Sequence, residues 1–75
     1  MKSTELAKEL IDKGGFSKTA LAREITGKPD AVPTYVSNML NRDNGMRIDK
    51  FVALMNAMGY KVVVTRGKEE YEVTE

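Results

Sequence analysis

The stretch PDAVPTYVSNMLNR, residues 29–42, decides how this chain is read. Wound as an α-helix at about 100° per residue, it sets Val32, Val36, Met39 and Leu40 on one side. Thr34, Ser37, Asn38 and Asn41 fall opposite them, with Tyr35 and Arg42 at one flank. The apolar side predicts a helix over residues 31–42 that packs on a core. The polar side is unusual in kind. A solvent face more often carries Glu, Lys and Gln, which are good helix formers, whereas Ser, Thr and Asn compete with the backbone for hydrogen bonds. Local propensity is given up here for short, neutral donors and acceptors. Two readings are open: an incidental polar surface, or a face for a partner that presents paired donors and acceptors of its own. Base edges in the DNA major groove are such a partner. An Asn amide matches the acceptor and donor of adenine, and hydroxyls serve either role.

Around this stretch the start and stop signals are regular. Asp30 is the expected N-cap of the helix, and Pro33 falls in its first turn, where its missing N–H has no intrahelical partner to lose. Upstream, FSKTALAREI predicts a helix over 17–26: Ser17 caps it, Phe16 and Leu21 form a hydrophobic staple, and Gly27 ends it. Leu21, Ala22 and Ile25 face inward. A first helix over 3–13 has Ser3 as its cap, Leu6, Ala7, Leu10 and Ile11 at helical spacing, and Gly14 and Gly15 as its stop. Downstream, the DNG turn at 43–45 precedes a helix over 48–58 with Ile48, Phe51, Val52, Met55 and Met58 inward, closed by Gly59.

After Gly59 the period changes from three-and-four to two. Strands over 60–65 and 68–73 flank Arg66 and Gly67, and a two-residue loop there places Val64 opposite Glu69, Val62 opposite Tyr71 and Tyr60 opposite Val73. A two-stranded hairpin is marginal alone. It is either a lid on the core or a strand edge that pairs with its twin across a two-fold axis, through Val62, Val63, Val64, Tyr71 and Val73. The small size of the chain and its run of three valines favour the second reading.

At 75 residues the chain is expected to be one domain, mainly α, near the size at which a single core holds without help. It has no Cys and no His, which removes disulfides, thiol chemistry and the usual zinc sets, and makes an enzyme improbable. No cofactor is expected. No apolar run reaches the roughly 18 residues of a membrane span, and the charged start does not read as a secretory signal, so a cytoplasmic location is expected. Charge is divided along the chain: from Lys13 to Arg47 six basic residues stand against three acidic, whereas from Lys68 onward one Lys stands against four Glu. The basic middle suits an anionic partner. Lys18 and Thr19, Lys28, Arg42 and Arg47 bracket the neutral face and are candidates for backbone phosphates, together with Ser17 and Tyr35.

The order FSKTALAREI, turn, PTYVSNMLNR, then IDKFVALMNAMGY resembles the lambda-repressor-like helix-turn-helix family, which includes phage repressors and Cro-type regulators. The likeness covers residues 5–60 and rests on Leu21-Ala22, Val36-Ser37 and the closing MNAMGY, where methionines replace the family's leucines. It implies a four-helix domain whose third helix reads DNA, with Pro33, Thr34, Ser37 and Asn38 at base-reading positions and Lys18, Thr19 and Asn41 on the backbone. Two departures stand out. Lys18 occupies a position where the family commonly has Gln, and the connection TGKPDAVP is about four residues longer than the family's turn. The C-terminal strands resemble, loosely, the strand by which Cro-type proteins dimerise.

The expectation is therefore a homodimeric, sequence-specific regulator of phage or mobile-element type that binds double-stranded DNA at a palindromic operator and represses by occlusion, in a bacterial or phage setting. The alternative is a protein-interaction module, such as an antitoxin, whose acidic hairpin grips a protein partner.

Overall fold

The computed structural model describes residues 1–42 and 44–74. Asp43, the first residue of the expected DNG turn, and Glu75 lie outside the described residues. The elements are α1 (Ser3–Gly14), α2 (Lys18–Thr26), α3 (Thr34–Leu40), α4 (Ile48–Ala57), β1 (Val62–Arg66) and β2 (Glu69–Val73). This is the mainly α arrangement with a C-terminal antiparallel hairpin that the periodicity predicts.

Ser3 does not cap α1 but opens it. Lys2 is the N-cap, and its backbone N–H is accepted by the Glu5 carboxylate at 3.4 Å. The freed Ser3 hydroxyl accepts the Met46 N–H at 3.0 Å, tying the segment before α4 to the start of α1. The helix stops at Gly15 in the left-handed conformation, as expected. For α2 the signals hold: the Ser17 hydroxyl accepts the Ala20 N–H at 3.3 Å, and left-handed Gly27 closes the helix.

The third helix is shorter than expected. It runs from Thr34 to Leu40, with Pro33 at the N-cap and Asn41 at the C-cap. Asp30 is therefore not its cap. The cause is Pro33: its ring disfavours helical backbone at the preceding residue, so the helix cannot extend back through Val32. Val32, expected on the apolar side, is instead left in the connection and 57% exposed. Residues 27–33 thus form a seven-residue link held by Ala31 N–H to Lys28 C=O and Tyr35 N–H to Val32 C=O, each 3.2 Å.

The helices share one core. Ala7 and Ile11 of α1, Leu21 and Ala22 of α2, Val36, Met39 and Leu40 of α3, and Leu54 and Met55 of α4 are all buried in it. Leu6 and Leu10, expected inward, are only half-buried. In α4, Ile48 was expected inside and is 56% exposed, although its angle is right; it sits at the first residue of the helix. Leu54 lies at the edge of that stripe and is fully buried, because α4 packs against both α1 and α2 and the covered face is wide.

The hairpin turns one residue later than expected. Arg66 pairs with Glu69, Val64 with Tyr71 and Val62 with Val73, so the loop is Gly67-Lys68. Gly67 has φ +58 and Lys68 a negative φ, the signs of a type II′ turn with Gly at its first central position. Arg66 in that position would have needed the left-handed region, which a side chain disfavours. Tyr60 is outside the ladder. Because strand side chains alternate, moving the turn by one residue keeps Val62, Val64, Tyr71 and Val73 on a single face.

Candidate nucleic-acid interface

The site is built on α3. From Thr34 at zero, buried Met39, Val36 and Leu40 fall near 140°, 200° and 240° at about 100° per residue. Directly opposite lie Thr34, Asn38 and Asn41, all exposed. Tyr35 and Ser37 stand at right angles to this axis, one on each flank, and both are half-buried. The exposed strip of α3 is thus an uninterrupted neutral surface of one hydroxyl and two amides, with Pro33 exposed ahead of it.

Each flank residue touches a lysine from a neighbouring helix. On one side the Lys18 ammonium, at the start of α2, lies 3.5 Å from the Ser37 hydroxyl, a long hydrogen bond that Ser37 accepts. On the other the Lys50 ammonium, in the first turn of α4, donates to the Tyr35 hydroxyl at 3.0 Å. That ammonium is 5.6 Å from the ring centroid, which places it at the hydroxyl end of the ring. Both hydroxyls accept from lysine, so each keeps its own hydrogen to donate outward. Among the described residues no carboxylate lies within ion-pair distance of Lys18 or Lys50.

On the Ser37 flank two adjoining clefts run between α1 and α3, of about 230 and 540 Å³. Lys8, Leu40 and Asn41 line both. Lys18, Ser37, Ile11 and Asp12 complete the first; Lys2, Thr4, Glu5 and Arg42 join the second. The two clefts thus place Lys18, Asn41 and Arg42, expected at the backbone, along one flank, together with Ser37, which was expected among the base readers. Lys28 and Thr19 lie outside both clefts. Arg47 is exposed beside α4, and its guanidinium pairs with Asp49 at 3.3 Å. Ser17 spends its hydroxyl on the α2 cap. Tyr35 is half-buried, and its hydroxyl accepts from Lys50.

Lys8 and Lys50 were not anticipated from the sequence. Lys8 follows Thr4, now buried, by one turn, and nothing in the spacing of α1 says that α3 will pack beside it. Lys50 reads as an ordinary solvent lysine until α4 is set across Tyr35. Among the described residues no group of three or more acidic, His or Cys side chains is placed to hold a metal, and no helix is long and apolar enough to cross a membrane. Comparison with family models, curated proteins and solved structures finds no match to this chain.

Proposed function

We propose that this protein is a sequence-specific double-stranded DNA-binding transcriptional regulator, a small homodimeric repressor of the lambda-repressor-like helix-turn-helix kind. In this reading α2 and α3 form the motif, α3 enters the major groove, and the bound protein blocks polymerase at a palindromic operator. The observation that carries the reading is the framing of α3: a neutral strip of Thr34, Asn38 and Asn41 between two lysines, Lys18 and Lys50, held by the helix's own flank hydroxyls. Amides and hydroxyls suit base edges, and cations on both sides suit the two phosphate backbones that wall the groove. Asn38 is the first candidate for a bidentate contact to adenine. Lys18, Lys8 and Arg42 on one flank, and Lys50 on the other, would hold phosphates without reading sequence.

Selection from random duplex DNA at moderate salt tests this; a palindrome should be enriched, and the absence of any enriched sequence would sink the reading. On the selected site Asn38→Ala should cost about 1–3 kcal/mol and on random DNA little, while Lys18→Ala weakens both alike. Equal losses for the two variants would remove Asn38 from base reading.

A second reading has an observation of its own. The hairpin presents exposed Val64 and Tyr71 beside Glu69, Glu70 and Glu72, which would suit a protein partner of an antitoxin-like module. Removing residues 66–75 separates the two: a dimeric regulator loses both its dimer and its DNA affinity, whereas an interaction module loses only its protein partner.

A further inference from the structure

Another cleft draws nothing from α3. It opens where α1, α4 and the base of the hairpin meet. α1 contributes Leu6 and Leu10, one helical turn apart, α4 contributes Phe51 and Met55 at the same spacing, and β1 contributes Val62 and Val63. The space between them is about 320 Å³, within the roughly 300–1,000 Å³ of small-molecule pockets. Leu10, Phe51 and Val62 back onto the shared core, whereas Leu6 is half-buried without joining it. The side chain of Leu6 is therefore apolar surface that the fold itself does not use.

The cleft is formed by backbone as well as by packing. The Tyr60 N–H donates to the Met55 C=O at 2.9 Å and the Gly59 N–H to the Asn56 C=O at 3.0 Å, with Gly59 left-handed at φ +90. These bonds tie the start of the hairpin to the end of α4, so the wall made by residues 60–63 is in place before anything binds. A site formed in advance loses little to ordering when it is filled. Tyr60, which is 41% exposed, and Lys61 complete the hairpin side, and among the described residues Lys61 is the single charge lining the cleft. Its ammonium lies 3.9 Å from the Glu72 carboxylate, with both side chains well exposed, a pair that water screens strongly. The cation remains available to a second anion, for which Glu72, outside the cleft, competes.

We propose that this cleft binds a small amphiphile, a medium-chain carboxylic acid, with its apolar body between Leu6, Leu10, Phe51 and Met55 and its carboxylate on the Lys61 ammonium. The lining supplies the class of ligand: an apolar body fits between the two helices, and one cation at the hairpin end calls for one anionic head. An occupant braces the hairpin against the helical body, to which Val62 is its only residue packed on the core. The proposal needs no DNA, and it stands or falls apart from the regulator reading.

Titration of the full chain with sodium decanoate, below its micelle concentration and without DNA, tests it by calorimetry and by amide chemical shifts. Binding should saturate with a dissociation constant below about 1 mM, as a ligand of that size allows. The shifts should fall on residues 6–10, 51–55 and 60–63 and leave α3 unmoved. Octanoate should bind about tenfold more weakly, for two methylenes fewer in the cleft. Lys61→Met should weaken decanoate about two- to fivefold and leave neutral 1-octanol unchanged, while Glu72→Gln, which frees the ammonium, should tighten decanoate by a similar factor. Leu6→Glu should abolish binding with helical circular dichroism intact, since Leu6 is not part of the core. A chain that takes up no decanoate, or takes it up equally well after Lys61→Met and Leu6→Glu, overturns the proposal. Co-sedimentation with phosphatidylglycerol vesicles in the absence of saturable decanoate binding also overturns it, and assigns the apolar cleft to a lipid surface.

Discussion

At Gly14 the side chain is missing because Phe16 folds back over the end of α1. A Cβ there would overlap the Phe16 ring, which packs against the core, while Gly14 itself does not have a positive φ. Gly15, one residue on, is the reverse: it is left-handed with open space around it. Adjacent glycines thus serve different needs, one steric and one conformational. Gly14→Ala should displace the ring and lower stability by about 1–3 kcal/mol, measured by urea unfolding, as for other overpacked sites. A neutral result would mean that Phe16 leaves its place at no cost. Ser3 teaches a related lesson. Its sequence signature is that of a cap, yet its hydroxyl serves Met46, far along the chain, and Glu5 serves the helix start instead.

At the scale of the element, α3 owes its orientation to the helices packed around it. A seven-residue helix is too short to be stable alone, so its orientation is set by the packing of Val36, Met39 and Leu40. That packing fixes which residues point outward and which flank meets which lysine. If Lys50 holds a phosphate, Lys50→Met, which keeps the stem and removes the charge, should reduce the slope of log affinity against log salt by about 0.9. Tyr35→Phe should give a smaller change in the same direction, because Lys50 then lacks its 3.0 Å acceptor. An unchanged slope in Lys50→Met would show that only the Lys18 flank touches the backbone. Lys18 is marked in the sequence by its helix start, whereas Lys50 gains its relevance only where its ammonium meets the Tyr35 hydroxyl.

For the whole molecule, a helical body and a projecting hairpin share little of one core. The extents of 42 × 25 × 22 Å describe an elongated particle, and the shared core draws only Val62 from the hairpin. A chain ending at Lys61 should therefore keep its helical circular dichroism and lose no more than about 2 kcal/mol of stability, the order expected for one partly buried valine. A larger loss, or unfolding, would make the hairpin a lid on the core. The same truncation should leave a monomer with weak, strongly salt-dependent DNA binding.

The sequence by itself determined the number and order of the elements, the inward placing of Ala7, Ile11, Leu21, Ala22, Val36, Met39 and Leu40, and the face that Val62, Val64 and Val73 share. These follow from period, capping and alternation, which are local, and alternation holds even when the turn moves by one residue. The sequence also marked the neutral strip of α3, because Thr, Ser and Asn are poor choices for a helix surface. Where α3 begins was a local matter too, set by the backbone restriction that Pro33 imposes on Val32 in place of the expected Asp30 cap; the tertiary structure decided the rest. It alone brought Lys8 and Lys50 beside α3 and buried Leu54 while leaving Ile48 in solvent. Such facts depend on which helices cross and where, and contacts between residues distant in the chain leave no periodic mark in it.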